Sequence, residues 1–153
     1  MDKDNLEHLL TMDMEIEIRS VQEIRGLSKL DGYDFDDRYG ATPDGTIYRI
    51  RKRMGNVFEV VKMRPYITKD KYLEYVLVNR KGKKTHIQGQ RIIAGLYLVP
   101  DPNKKFVNHK DLNRSNNNVH NLEWVTHSEN IKHSWAMNLN RKPRTKKIII
   151  KRK

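Results

Sequence analysis

Short apolar runs, separated by turn-forming residues, recur along this chain. After a Pro-Asp-Gly turn signal at residues 43–45, Ile47, Tyr48 and Ile50 alternate in part with arginines, which predicts a strand with one basic side. Further strands are predicted over residues 57–63, 72–78 and 85–88. Turn-forming and basic residues separate these segments, so the pattern indicates a small antiparallel sheet rich in lysine and arginine.

Two helices are predicted further along the chain. Residues 90–98 carry four apolar side chains that fall on one helical face. The second helix is predicted over residues 127–139, and Thr126 with Glu129 forms a capping box at its start. The apolar face of this second helix is formed by Ile131, Trp135 and Leu139. We expect that face to hold the helix against two neighbouring strands.

Polar residues gather between the two helices, where element ends are predicted. A short strand ends at Asn108 and His109, a polar loop follows over residues 110–118, and a second short strand leads into the second helix. On that helix, Asn130 and His133 are three residues apart and share a face. We expect this face to point toward the end of the first strand, which would bring the four side chains together.

Charge is distributed unevenly along the 153 residues, whose formal net charge is +12. Residues 1–37 contain eleven acidic and four basic residues, whereas residues 38–153 contain eight acidic and twenty-seven basic residues. The basic excess favours a polyanionic partner, with nucleic acid first and an anionic membrane surface second. The hydrophobic fraction of 37% predicts several small packed units rather than one large core. The absence of cysteine excludes disulfides and thiol chemistry.

One stretch of about thirty residues carries several motifs at fixed spacings. It reads N-H-K-D at residues 108–111, then an asparagine-rich loop, N-L-E-W-V-T at residues 121–126 and S-E-N at residues 128–130. This stretch resembles the HNH nucleases, specifically the branch found in phage and intron-encoded homing endonucleases. The resemblance implies an α+β fold in which a small antiparallel β-sheet module is followed by a ββα-metal finger and a basic tail. It also implies a DNA endonuclease that hydrolyses a phosphodiester bond and nicks one strand.

The resemblance also implies a role for each polar residue of the motif. His109 would be the general base, and Asn121 would fix the loop and help to hold His109 in place. Asn108 and Asn130 would bind one divalent metal ion, Mg²⁺ or Mn²⁺, with His133 as an additional or alternative ligand. These residue types suit the reaction, because imidazole accepts a proton near neutral pH and hard cations prefer oxygen ligands. The implied location is the cytoplasm of a phage-infected or intron-bearing host cell.

The preceding sheet resembles in part the DNA-binding module that often precedes the finger in these enzymes. Pro65, Tyr66, Tyr72 and Leu73 match its later portion. The implied partner is double-stranded DNA, bound by a monomer, and a β-ribbon of this kind fits the major groove. The candidate DNA-binding residues are Arg49, Arg51, Arg53, Lys69, Lys71, Lys83, Lys84, Arg91, Lys110 and Arg114.

These patterns divide the chain into four segments. We expect an acidic N-terminal arm or helix over residues 1–30 and the antiparallel β module over residues 31–88. The connecting helix and the nuclease finger would occupy residues 89–139. A basic tail over residues 140–153, with eight basic and no acidic residues, would engage phosphates.

Three alternatives remain open from the sequence. His120, His127 and His133 could form a zinc site instead of serving a nuclease. The finger could hold DNA without cutting it, since Asn108 stands where related nucleases often have Asp. The basic charge alone would also permit an RNA-binding protein.

Overall fold

Residues 24–54 and 58–138 are described by the computed structural model. The strands and α-helices are β1 (Arg25–Gly26), β2 (Tyr39–Ala41), β3 (Ile47–Lys52), β4 (Phe58–Lys62), β5 (Tyr66–Ile67), β6 (Leu73–Val78), β7 (Lys84–Gln88), α1 (Gly89–Tyr97), β8 (Phe106–His109), β9 (Leu122–Val125) and α2 (His127–Asn138). Short 3-10 helices cover Leu27–Lys29 and Val119–Asn121. In this described part of the chain, no helix is long and apolar enough to cross a bilayer.

All three sheets are antiparallel, and the fold is of the expected α+β class. The strand orders are β1-β2-β3-β4, β5-β6-β7 and β8-β9. The turn signal after β2 behaves as predicted, because the backbone N–H of Gly45 donates to the Thr42 carbonyl at 3.0 Å and Gly45 has a φ of 96°. That left-handed conformation favours glycine. The strand and helix segments predicted from the sequence lie within a few residues of the observed ones.

One hydrophobic core joins the three sheets, so the expectation of several small packed units is wrong. Helix α1 lies at its centre and contacts β6, β7, β8 and β9. Its wide apolar face explains this position, since Ile92 and Ile93 have no exposed surface. The buried core residues are Leu27, Leu30, Phe35, Tyr39, Ala41, Ile47, Tyr75, Leu77, Ile87, Ile92, Ile93, Leu96 and Leu122.

The segment just before residue 31 belongs to this core rather than to a separate arm. Leu27 and Leu30 are 0% and 4% exposed. The guanidinium of Arg25 donates to the Leu96 carbonyl at 2.6 Å and lies 4.4 Å from the Tyr97 ring centroid. A cation is favourable at the carbonyl end of a helix. The body of the protein therefore begins by Arg25, and the boundary expected after Leu30 is corrected accordingly.

Helix α2 begins as its sequence predicts. The Thr126 backbone N–H donates to Glu129 Oε2 at 2.7 Å, and the Glu129 N–H donates to Thr126 Oγ1 at 3.2 Å. These two bonds are the reciprocal pair of a capping box. Hydrogen bonds to Thr126 lower the pKa of the Glu129 carboxyl group.

The prediction that an apolar face holds α2 against the strands is wrong. Ile131 is 44% exposed and Trp135 is 70% exposed, while Leu139 lies outside the described residues. Alternation along the β8–β9 ladder gives the physical reason, because neighbouring strand residues point to opposite faces. Leu122 faces the core, and the opposite face carries Asn108 and Glu123 beside Phe106 and Val125. Helix α2 contacts this partly polar face through His133.

Replacing Ile92 by Ala should destabilise the whole described body and not one module. Removing a fully buried side chain from the shared core should lower the free energy of unfolding by about 2–5 kcal/mol. Urea unfolding followed by circular dichroism and tryptophan fluorescence would measure it. Val99→Ala is the control, since Val99 is 88% exposed. Two separate transitions, of which Ile92→Ala shifts only one, would contradict a shared core.

Candidate active site

A cavity of about 240 Å³ lies between the end of β8, the loop that follows it, and α2. Four of the five residues predicted to serve catalysis or metal binding line this one cavity, and Asn121 does not. The lining residues are Tyr72, Val107, Asn108, His109, Leu112, Arg114, Asn130, Ile131, His133 and Ser134. The helical face that carries Asn130 and His133 therefore does point to the end of β8, as the spacing indicates.

The last two residues of β8 are polar and almost completely buried. Asn108 is 6% exposed and His109 is 4% exposed. The β8–β9 register pairs Asn108 with Glu123 and His109 with Leu122. Because neighbouring strand residues point to opposite faces, the two side chains meet different surroundings. His109 shares its face with the core residue Leu122, and Asn108 shares its face with Glu123.

The imidazole of His109 is held by Asn117. His109 Nε2 lies 3.0 Å from Asn117 Oδ1. With the Asn117 amide in this orientation its oxygen accepts, so a neutral ring would carry its proton on Nε2. The lone pair is then on Nδ1. Burial lowers the pKa of His109 and nearby Arg114 lowers it further, while the bond to Asn117 and the charge of Asp111 oppose the shift. The ring is therefore neutral at pH 7 and can accept a proton.

Asn117 occupies a space that two glycines leave open. It is 3% exposed. A Cβ at Gly89 would lie 2.5 Å from Asn117 Nδ2, and a Cβ at Gly45 would lie 2.8 Å from the Asn117 carbonyl carbon. Both contacts are too short for any larger residue unless something moves. The backbone N–H of Val119 also donates to the Pro43 carbonyl at 2.8 Å, so the loop is bound to the turn between β2 and β3.

Asn121 holds the loop through Asp111. The Asp111 backbone N–H donates to Asn121 Oδ1 at 3.1 Å, and Asn121 Nδ2 donates to Asp111 Oδ1 and to the Asn116 carbonyl, both at 2.9 Å. These contacts fit the expected role of fixing the loop. Among the described residues, however, the direct side-chain partner of His109 is Asn117 and not Asn121.

Arg114 links the loop to the turn between β5 and β6. Its Nη1 donates to the Asp70 carbonyl at 3.1 Å, and its guanidinium lies 4.9 Å from the Tyr72 ring centroid. Ser115 Oγ donates to the Lys71 carbonyl at 3.1 Å. The Tyr72 ring in turn lies 6.0 Å from the His109 ring, centroid to centroid. The guanidinium is thus positioned at the cavity beside His109.

The ten candidate DNA-binding residues are all exposed, and they lie on several different elements of the fold. Arg49 and Arg51 lie on one face of β3, two residues apart. Of the ten, Arg114 lines the cavity, and Lys110, whose Nζ donates to the His120 carbonyl at 3.1 Å, belongs to the same loop. The others stand on the sheets, their turns and α1. The structure therefore leaves each of them accessible to a polyanion.

The zinc alternative is wrong for the part of the chain that the structure describes. No group of three or more potential histidine, cysteine or carboxylate ligands forms there. His120 is exposed on the loop, and the ring of His127 lies 5.3 Å from the Phe106 ring. His133 instead contacts Asn108.

Two residues of the site are not distinguished by the sequence patterns. Asn117 lies in the asparagine-rich loop, and nothing in a run of three asparagines marks the buried one. Glu123 accepts a hydrogen bond from Asn108 Nδ2 at 2.9 Å, but in the sequence it is only one residue of the N-L-E-W-V-T motif. A signal for Glu123 did exist, because strand pairing places it opposite Asn108 once the loop length is known.

Comparisons with known proteins agree with this geometry. Residues 90–132 match a family model described as HNH endonuclease. The chain is 33% identical over 98 residues to the uncharacterized HNH endonuclease L245 of Acanthamoeba polyphaga mimivirus, covering 64% of this chain and 27% of that protein. It is 38% identical over 60 residues to the SPbeta prophage-derived putative HNH homing endonuclease YosQ of Bacillus subtilis, covering 39% of this chain and 34% of that protein.

A solved structure shares the fold. The HNH homing endonuclease I-HmuI, described for its DNA binding and cleavage, matches with a TM-score of 0.58 and 24% identity over 78% of this chain and 61% of that one. Residues 90–132 thus resemble the HNH endonuclease family, and the chain is similar to HNH homing endonucleases in part of its sequence and in its fold. It spans about a quarter to a third of the length of the two relatives above.

Replacing Asn117 by Leu should remove the preference of the neutral His109 ring for one tautomer. Leucine has a similar size but no acceptor, so the Nε2 proton loses its partner and both neutral tautomers become populated. Ring ¹⁵N chemical shifts at pH 8 would measure this, with Asn103→Leu in an exposed turn as the control. A His109 ring that keeps its proton on Nε2 in Asn117→Leu would show that Asn117 does not select the tautomer.

Proposed function

We propose that this protein is a metal-dependent endonuclease that hydrolyses a phosphodiester bond of double-stranded DNA. One observation carries the proposal. A buried histidine, whose Nε2 lies at hydrogen-bond distance from Asn117 Oδ1, shares a cavity with two amide side chains and an arginine. The match of residues 90–132 to the HNH endonuclease family model supports the same reaction class. We further propose that the protein acts as a monomer with a preferred site and nicks one strand.

In this proposal, His109 Nδ1 accepts the proton of a water molecule that attacks the phosphorus atom. General base catalysis of this kind needs a neutral imidazole at the working pH, which the lowered pKa of His109 provides. The guanidinium of Arg114 would bind a phosphate oxygen beside the attacked bond, since Arg114 lines the cavity. Asn117 and Tyr72 would keep the ring of His109 in place.

The side chains of the cavity fit a divalent ion bound largely through its substrate. Asn108 and Asn130 offer neutral amide oxygens, which suit hard cations such as Mg²⁺ or Mn²⁺. Among the described lining residues, none is acidic. The charge of the ion would therefore be balanced mainly by the DNA phosphate. When bound, the ion would neutralise charge on the phosphate and on the departing oxygen.

DNA would be bound by the exposed basic residues of the sheets, the loop and α1. Contacts from such side chains to phosphates give affinity without reading sequence. Arg49 and Arg51, on one face of β3, are candidates for groove contacts because a β-ribbon fits the major groove. The basic residues 140–153 would add further phosphate contacts.

His109→Ala should lower the cleavage rate by about a hundred- to ten-thousand-fold, the range for loss of a general base. DNA affinity should stay close to that of the unmodified protein. Supercoiled plasmid incubated with Mg²⁺, with Mn²⁺ or with a chelator would be followed to relaxed circles and linear DNA. His120→Ala is the matched control, since His120 is an exposed histidine in the short 3-10 helix that follows the loop.

The outcomes of this assay separate the possible functions. Relaxed circles that require both metal and His109 establish a nickase, whereas linear product indicates paired cuts. Binding of duplex DNA without cleavage in any metal would point to a DNA-binding module. Displacement of DNA by structured RNA at equal concentration would count against DNA as the partner.

Asn130→Ala should weaken cleavage through the metal ion, because one neutral oxygen ligand is lost. Raising the Mn²⁺ concentration should restore part of the activity, as mass action compensates for weaker binding. Rates measured over a Mn²⁺ titration would test this, with the neighbouring exposed Lys132→Ala as the control. A defect that is unchanged at every Mn²⁺ concentration would argue against a ligand role.

A further inference from the structure

The side-chain amide of Asn108 makes hydrogen-bond contacts with two neighbouring side chains. Asn108 and Glu123 are directly opposite in the β8–β9 ladder, so their side chains lie on the same face. Asn108 Nδ2 donates to Glu123 Oε1 at 2.9 Å. The same nitrogen lies 3.2 Å from Nδ1 of His133 on α2. Asn108 is 6% exposed, so water cannot easily replace either partner.

These two contacts use the whole donor capacity of the amide. An asparagine Nδ2 carries two hydrogen atoms and can donate two hydrogen bonds. A carboxylate oxygen and an unprotonated imidazole nitrogen can each accept one of these bonds. In the reverse orientation, Oδ1 of Asn108 would face the Glu123 carboxylate oxygen, and two acceptors would meet without a proton between them. An unsatisfied contact of that kind is unfavourable in a buried setting. Glu123 therefore selects one of the two amide orientations.

We propose that Glu123 and His133 are positioning residues that fix the amide oxygen of Asn108 as the metal-facing atom. With Nδ2 held on one side, Oδ1 is the atom left for a cation. The inference rests on the metal-dependent function proposed above and deepens it. In this proposal the carboxylate of Glu123 acts as a hydrogen-bond acceptor for Asn108 Nδ2, and not only as a negative charge.

The same geometry removes His133 from the set of ligands. If His133 Nδ1 accepts a hydrogen bond from Asn108 Nδ2, the proton of the neutral ring is on Nε2. Neither nitrogen then has a free lone pair for a metal ion. The sequence-based expectation that His133 is an additional or alternative ligand is replaced by an orienting role.

The contacts of Glu123 and His133 with Asn108, which we call the clamp, also explain why residue 108 is an amide. A carboxylate at residue 108 would place two negative side chains at hydrogen-bond distance across the ladder, which is unfavourable. An amide presents a donor to Glu123 and still leaves an oxygen for the ion. Asn108 and Glu123 are thus matched to each other as donor and acceptor.

The first test uses the unmodified protein and needs no cleavage. At pH 8, ring ¹⁵N shifts of His133 should show a bare Nδ1 and a protonated Nε2. The two Nδ2 protons of Asn108 should exchange more slowly with solvent than those of the exposed Asn103. A His133 ring with its proton on Nδ1 would overturn the proposal, because that nitrogen could not then accept from Asn108.

The second test compares two neutral substitutions of Glu123. Glu123→Gln keeps an acceptor oxygen, whereas Glu123→Leu removes it at similar size. Mn²⁺ alone is the probe, and paramagnetic broadening of the NMR signals of cavity-lining residues gives its affinity. Glu123→Leu should lose about tenfold or more in Mn²⁺ affinity, the range for loss of a group that orients a ligand. Glu123→Gln should lose clearly less.

The pattern of losses decides the mechanism. Equal losses in both variants would mean that Glu123 acts only through its charge, and no loss in Glu123→Leu would mean that it does not orient the ligand; either result overturns the proposal. Glu59→Leu on β4 is the control for removing a carboxylate elsewhere. Plasmid cleavage is assayed separately, so a protein that never cuts DNA but shows this Mn²⁺ series refutes the proposed function while supporting the clamp.

Discussion

The buried polar end of β8 is the constraint on which the rest of the site depends. A polar side chain that leaves water without a hydrogen-bond partner costs about 1–3 kcal/mol, so each one buried here needs a partner within the protein. His109 obtains Asn117 from the loop. Asn108 obtains Glu123 from β9 and His133 from α2. Satisfying two side chains thus fixes where the loop, the second strand and the helix lie around β8, and the cavity is the space left between them.

The partner of His109 in turn depends on distant parts of the chain. Asn117 reaches the ring only because Gly89, at the start of α1, and Gly45, in the turn between β2 and β3, leave room for it. Both glycines belong to the body that carries the shared core. The state of the His109 ring is therefore coupled to correct packing of the N-terminal sheet, although that sheet supplies no group to the reaction. Arg114, bonded to the turn between β5 and β6, connects the second sheet to the same loop.

Sequence patterns correctly predicted local structure. They failed where contacts between distant segments determine which side chains are buried. The capping box at Thr126 and the polar end of β8 follow from neighbouring residues, and both were found as expected. The face of α2 could not be inferred from helical spacing, because Trp135 stays exposed once the apolar face of the ladder is covered by α1. Spacing also cannot tell which loop asparagine is buried. Asn117 is selected by glycines that are far from it in sequence.

The electrostatics of the cavity give the proposed reaction an order of events. The chain carries a net charge of +12, and Arg114 lines a cavity whose described residues include no carboxylate. A divalent cation is poorly stabilised by neutral amide oxygens alone in such surroundings. The phosphate of bound DNA supplies the missing negative charge, so DNA and metal should bind cooperatively, each raising the affinity for the other. Glu123 contributes by orienting a ligand oxygen and not by lining the cavity. A site built in this way would bind its ion more tightly when substrate is present, which would favour hydrolysis of DNA that the basic surface has already bound.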